Sequence, residues 1–501
     1  MRYISTRGQA ETYSGAEAIL HGLARDGGLF VPEYIPVISP AQWRQMLPMS
    51  YPERAYEILS LYLDFEPHLL RQALAEAYHE ERFAPSVAPL HQLNPYSDLR
   101  YMLELWHGPS GAFKDIALQL LPRLITLAKD QIGDDKHYCF VTATSGDTGI
   151  AAMEGFCEVE DTSVVVFYPK NGVSDVQEQQ MLSVDSPACY AIPVQGNFDE
   201  AQTKVKEIFS DRALADRLAE KNIRLSSANS INWGRLLPQI VYYASAYLDL
   251  LALEKLEEDE TFDVVVPTGN FGNILSAWYA KQMGVPIANL FCASNKNRVL
   301  TDFLRNGEYD RRKKLVKTNS PAMDIVLSSN VERLIFELSG RDSEQTRQWM
   351  EDVHERGKYK VDKETLQRIT EEFRSGYADD QVVLKTIREV YDAFDHVVDP
   401  HTAVGFTMHA RNTSNFKPEQ LKKTVFVSTA SPFKFPETVA QGLFSKRENQ
   451  GKSIEALSAR IAEESGLEIP EKLVQASQKL HTSSPGIHVD EMAIRLSEVL
   501  L

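Results

Sequence analysis

Lys114 stands in the stretch Trp106-His107-Gly108-Pro109-Ser110-Gly111-Ala112-Phe113-Lys114-Asp115, after a Gly/Pro/Ser turn and a phenylalanine, and opens an apolar run of Ile116, Ala117, Leu118, Leu120 and Leu121. An ammonium in such company is costly unless its charge is lost or paired. A lysine held there can serve as a neutral amine, and a Schiff base with an aldehyde cofactor would fix it in place. The competing reading is a lysine that snorkels from the first turn of a helix. Three other stretches could meet a ligand. Thr144-Ser145-Gly146-Asp147-Thr148-Gly149, Thr268-Gly269-Asn270-Phe271-Gly272-Asn273 and Ser428-Thr429-Ala430-Ser431-Pro432 each follow a strand-like run. Glycine lets backbone approach a ligand closely, and the start of a following helix offers unpaired N–H groups to an anion. Either glycine loop alone could be an ordinary turn; two in one sheet point to an anionic ligand. The dinucleotide fingerprint and the P-loop pattern are absent. The 12 histidines show no H-x-x-x-H or H-E-x-x-H spacing, His396 and His401 read as packed or surface residues, and no metal ligand set is expected.

These residues need a scaffold, and the hydrophobic pattern supplies one. Tyr138–Thr142, Ser163–Tyr168, Ala191–Val194, Asp263–Pro267, Ala288–Ala293 and Thr424–Val427 are strand candidates. Several lack polar alternation, as strands buried on both faces of a parallel sheet do. Helical segments follow most of them, including Ala117–Lys129, Glu200–Lys221, Leu236–Lys255 and Asn273–Met283. The alternation predicts an α/β fold with doubly wound, mainly parallel sheets. In such sheets ligands bind beyond the carboxyl ends of the strands, where the three loops fall. Residues 1–95, with prolines at 32, 36, 40, 48 and 52, read as a small, mainly helical N-terminal domain. Residues 96–445 read as the catalytic α/β region with a helical insertion over about 296–395, and 446–501 as a helical C-terminal segment packed on it. The cluster Arg311-Arg312-Lys313-Lys314 reads as a solvated face.

Composition narrows the class. The chain has 501 residues, 43% of them hydrophobic and 25% charged, as in soluble globular proteins of several domains. A formal charge of −17 argues against sequence-independent nucleic-acid binding, although a local site can still take an anion. The 4 cysteines form no C-x-x-C pair, which fits a reducing, cytoplasmic location. The N-terminus has no apolar core of a secretory signal, and Glu11 and Glu17 count against a transit peptide. No uncharged apolar run reaches the ~20 residues of a membrane span; Leu236–Leu248, which ends at Asp249, reads as a buried helix.

Taken together the motifs resemble those of the threonine synthase family, pyridoxal-phosphate enzymes of fold type II, over nearly the whole chain. His107–Asp115 resembles the family's cofactor-lysine motif, Ser145–Gly149 its substrate loop, and Gly269–Asn273 the loop that holds the cofactor phosphate. Asp147, where many other type II families carry Asn, is specific to this resemblance. Ser428–Phe435 (S-T-A-S-P-F-K-F) resembles S-T-A-H-P-x-K-F, with Ser431 in place of His. Gly22–Pro32, Ser230–Arg235 and Ser320–Ile325 also resemble the family.

The resemblance implies conversion of O-phospho-L-homoserine and water to L-threonine and phosphate, the last step of threonine biosynthesis. It implies that Lys114 holds pyridoxal 5'-phosphate and then acts as the base; that backbone N–H groups of Gly269, Asn270, Phe271, Gly272 and Asn273 hold the cofactor phosphate; and that Thr429 hydrogen-bonds the ring nitrogen. Ser145 and Thr148 would receive the substrate carboxylate and Asp147 would lie near the ring hydroxyl. Asn232, Arg235 and Lys170 would meet the substrate phosphate. The implied partner is this small molecule, with neither nucleic acid nor membrane, in a monomer or dimer. Two rivals keep the same motifs: a dehydratase or phospholyase of the same fold type that makes a keto acid, and a catalytically idle interaction protein.

Overall fold

A computed structural model describes residues 1–144, 146–257, 259–478 and 484–501. Two parallel sheets carry the chain. The smaller has five strands in the order Ile487–His488, Cys189–Gln195, Thr162–Pro169, His137–Ala143 and Ile223–Ser227, all parallel. The larger has six, in the order Phe373–Tyr377, Ile287–Ser294, Phe262–Pro267, Thr424–Ser428, Ser97–Glu104 and Leu90–Asn94; only the Leu90–Asn94 edge is antiparallel. Thr162–Pro169 and Phe262–Pro267 are buried at every residue, which is why their runs of valine show no alternation.

The parallel α/β architecture inferred from the pattern is the architecture found. Its details differ in places. The N-terminal segment is not only helical: Tyr13–Ser14, Arg2–Ser5 and Phe30–Pro32 form a three-stranded antiparallel sheet beside the helices. The helix expected over Glu200–Lys221 breaks at Asp211, whose carboxylate accepts from the Leu214 N–H and so starts a second helix, Arg212–Ala219. The expected insertion is helical, but it also contains the edge strand Phe373–Tyr377 of the larger sheet. The tail divides: Leu457 and Ile461 pack with Val383 and Ile387 on the larger sheet's side, whereas Met492 and Leu496 pack with Ile208 and Leu214 on the smaller sheet's. Among the described residues no helix is long and apolar enough to cross a membrane.

Candidate active site

The loops that leave the two sheets converge on one cavity. Phe113, Lys114, Thr148, Arg235, the Gly269–Asn273 loop and Thr429 line it. It opens into a larger cleft of about 580 Å³, with which it shares Gln202, Lys206, Asn229, Ile231 and Ser329.

Lys114 is the first residue of the helix Lys114–Ile132. The turn before it is fixed by Asp115, whose Oδ2 accepts the Ser110 N–H at 2.8 Å. A Cβ at Gly108 would lie 2.6 Å from Asp115, so this close approach requires glycine. The Lys114 side chain is 13% exposed, and its Nζ lies 3.8 Å from Asp147 Oδ2. Burial lowers its pKa; Asp147 opposes this, while the positive charges of Arg235 and Lys434 add to it. The balance makes its proton easier to lose than that of an exposed lysine, the direction suspected from the apolar run.

Thr144 shapes the next loop. Its hydroxyl oxygen accepts the N–H groups of Gly146 at 3.0 Å and Gly149 at 3.1 Å. Gly146 has φ +130°, and a Cβ there would lie 2.3 Å from the Gln177 side chain. Asp147 begins the helix Asp147–Phe156. Burial works against its charge, but Lys434 and Lys114 outweigh burial and hold the carboxyl well below the usual carboxylate range. Thr148 lines the cavity. Ser145 lies outside the described residues.

The Gly269–Asn273 loop ends in Phe271, which adopts φ 65° and caps the helix Gly272–Gln282 with no side-chain hydrogen bond. The first N–H groups of that helix have no partner within it and face an anion well. The loop is held from behind: Ser328 Oγ donates to the Gly269 carbonyl at 2.5 Å, and Asn330 Nδ2 to the Asn270 carbonyl at 3.1 Å. A Cβ on Gly269 would meet the Ala322 carbonyl at 2.7 Å. Asn273 Oδ1 accepts from Tyr242 and Tyr243, while its buried Nδ2 has no partner among the described residues. Such a donor on the cavity wall calls for an acceptor.

Thr429 and Lys114 belong to walls joined by main chain. Phe113 N–H donates to the Thr429 carbonyl at 2.9 Å, and Ser431 N–H to the Gly111 carbonyl at 2.9 Å. Ser431, which departs from the resembled motif, spends its hydroxyl on the Phe433 N–H. Arg235 is 3% exposed. Burial lowers its pKa to about 10, its Nη1 donates to the Ala228 carbonyl, and its Nε has no partner among the described residues.

Two of the expected substrate residues are not brought to this cavity. Asn232 is the N-cap of the helix Trp233–Ala252: its Oδ1 accepts the Gly234 N–H and its Nδ2 donates to the Ile19 carbonyl, both at 2.9 Å. Lys170 pairs with Glu178 at 3.6 Å. Two further residues stand at the site: His401, which the sequence reads only as packed or surface, and Lys434, to which it gives no role. His401 lines the cavity, with Nδ1 2.7 Å from Asp399 and Nε2 accepting the Ala322 N–H. Lys434 is fully buried against Asp147; the signal that could have found it is the one used for Lys114, a lysine between Phe433 and Phe435. Among the described residues no group of three or more His, Cys, Asp or Glu could hold a metal ion.

Comparison with known proteins agrees with this geometry. Residues 2–78 match the family model "Threonine synthase N terminus", and residues 83–430 match "Pyridoxal-phosphate dependent enzyme". The chain is 38% identical to threonine synthase-like 1 of Macaca fascicularis over 449 residues, 87% of this chain, and spans 59% of that longer protein. It is 36% identical to the threonine synthase of Schizosaccharomyces pombe over 473 residues, 88% of this chain and 89% of that one. The crystal structure of PLP-bound threonine synthase from Brucella melitensis is similar over 100% of this chain and 99% of its own, with a TM-score of 0.85 and 35% identity.

Proposed function

The chain belongs to the pyridoxal-phosphate-dependent enzymes, in their threonine synthase family, and from that premise we propose that it converts O-phospho-L-homoserine and water to L-threonine and phosphate. The observation that carries the reading is one buried amine, Lys114 Nζ, sharing a cavity with an unpaired helix N-terminus and with Thr429.

The residues present fit the cofactor. The Gly272–Gln282 helix start and the free Asn273 Nδ2 suit its phosphate, the Lys114 amine its aldehyde, and the Thr429 hydroxyl its ring nitrogen. When bound, pyridoxal phosphate supplies an electron sink for negative charge developing on substrate carbons. The protein supplies orientation and proton transfers. Lys114 Nζ takes the proton from the substrate's Cα. Its single amine also serves the neighbouring carbons: a proton leaves Cβ, phosphate departs from Cγ, Cγ is protonated, the hydroxyl of a water adds at Cβ and a proton returns to Cα. Proton transfer over one chain of carbons requires placement within ~2.6–3.2 Å or through one bridging water; the backbone bonds at Phe113 and Ser110 hold the lysine's turn for this. Thr148, with the neighbouring Ser145, receives the substrate carboxylate. Arg235, whose Nε is free, offers a charged donor to the substrate phosphate. The reading places the enzyme in the cytoplasm, which its four free cysteines suit.

Turnover of O-phospho-L-homoserine by the purified, cofactor-loaded chain, with product identification, tests this. Equal amounts of threonine and phosphate are expected. Release of phosphate with 2-oxobutyrate and no threonine would show a phospholyase instead.

A further inference from the structure

Lys434 has no role in the reaction as described, yet it is buried beside the reacting amine. Its side chain is 0% exposed. Its Nζ donates to the Ser110 carbonyl at 2.6 Å, lies 3.4 Å from Gln180 Oε1, and pairs with Asp147 Oδ1 at 3.0 Å. Gln177 Nε2 donates to the same Asp147 oxygen at 2.8 Å. The other oxygen, Oδ2, faces Lys114 Nζ at 3.8 Å. One carboxylate thus lies between two lysines, and it can neutralise only one of them. Lys434 is nearer and has two more acceptors, so its ammonium is the better satisfied.

We propose that Lys434 is a positioning residue that keeps Asp147 as its own counter-ion and so leaves Lys114 ready as a neutral amine. The inference rests on the reading of Lys114 as the cofactor lysine. Its chemistry is direct: covalent capture of the aldehyde needs the amine lone pair, which condenses with the carbonyl carbon and releases water, and so does removal of a proton from Cα. The charged groups that act on Lys114 are Asp147, Arg235 and Lys434; Asp115 also faces Lys434, and Lys206 and His401 line the same cavity. Lys434 also ties the Ser110 turn, the Asp147 helix and the Asp175–Ser183 helix to the Ser428–Phe435 segment.

The test is the pH dependence of pyridoxal phosphate capture by the cofactor-stripped chain, followed by absorbance, which reads the proton affinity of Lys114 without turnover. With Lys434→Met, Asp147 is left to Lys114 alone, and the midpoint should rise by about 1 pH unit or more, the usual effect of an opposite charge at this range. Lys434→Arg keeps the charge and should leave the midpoint in place. A Lys434→Met chain with native circular dichroism and an unmoved midpoint would overturn the inference, as would Arg and Met variants that shift equally. If Lys434→Met does not fold, Asp147→Asn is compared with the Asp147→Asn/Lys434→Met double variant, in which neither charge is buried alone. In that background no carboxylate remains for Lys114 to gain, so the two midpoints should agree; a rise of about 1 pH unit would show direct repulsion by Lys434 instead and overturn the proposal. Lys114→Ala is the control: capture with an unchanged profile in that variant would sink the reading of Lys114 rather than the role of Lys434.

Discussion

Glu104 shows how the site depends on side chains that never reach the cavity. It ends the strand Ser97–Glu104, in register with Ser428, one residue before Thr429. Its buried carboxylate lies 2.7 Å from His107 Nε2, 3.4 Å from His91 Nε2 and 3.4 Å from His396 Nε2. Burial pushes the carboxyl up, but the hydrogen bonds of His107 and His91 and the charge of His396 outweigh burial and leave it at about 2, below the ordinary 4.5. A carboxyl lowered in the fold stabilises it above the unfolded value, and that gain fades as pH falls from about 4.5 through about 2; a shift of this size corresponds to about 3 kcal/mol. Melting temperatures at about pH 6 and about pH 3 should therefore fall less in Glu104→Gln than in the parent chain; equal falls would contradict this role. Residues differ in how readily a sequence shows them. The burial of Lys114 is legible because its apolar neighbours stand beside it in the sequence. Asn232 was misread because an Asn before Trp-Gly-Arg can equally meet a phosphate or cap a helix, and only the fold shows that both ends of its amide are already engaged. The Glu104 cluster was hidden because its members stand at positions 91, 104, 107 and 396.

At the scale of elements, the proposed anion site is a helix start rather than a cluster of cations. The Gly269–Asn273 loop has no lysine or arginine, and its donors are backbone N–H groups fixed by Phe271, Ser328 and Asn330. At Gly272 a Cβ would find its nearest neighbour, Asn330 Nδ2, at 3.4 Å. A Cβ in Gly272→Val thus meets only ordinary contacts, while the side chain stands where the loop is proposed to meet the ligand. Cofactor dissociation from this variant is expected to be about tenfold faster or more, equivalent to about 1.4 kcal/mol, with little change in melting of the stripped chain. Retention equal to that of the parent chain would argue against the loop. The strands that build this part were the easiest to read: Phe262–Pro267 and Thr162–Pro169 are valine-rich and enclosed on both faces. Ser97–Glu104 and Phe373–Tyr377 were missed because their runs (SDLRYMLE, FRSGY) mix charge with apolar residues and do not announce a sheet. The break at Asp211 was missed because the apolar spacing continues across it, and a cap outweighs periodicity there.

At the scale of the molecule, the proposed reaction asks a chain of net charge −17 to admit a doubly anionic substrate. In that reading the buried Arg235 offers the substrate a local field that opposes the global one, and the helix start at Gly272 does the same for the cofactor phosphate. Each sheet contributes one wall. The smaller brings Thr148 and Asp147, the larger brings the Gly269–Asn273 loop and Thr429, and the helix that begins with Lys114 lies where they meet. All of this assigns the covalent chemistry to one amine. The most direct test loads the chain with pyridoxal phosphate, reduces it with borohydride, digests it and maps the peptides by mass. The account requires the pyridoxyl group on Lys114 in the peptide that contains His107–Asp115; a tag on another lysine, or none in a fully loaded sample, would contradict it.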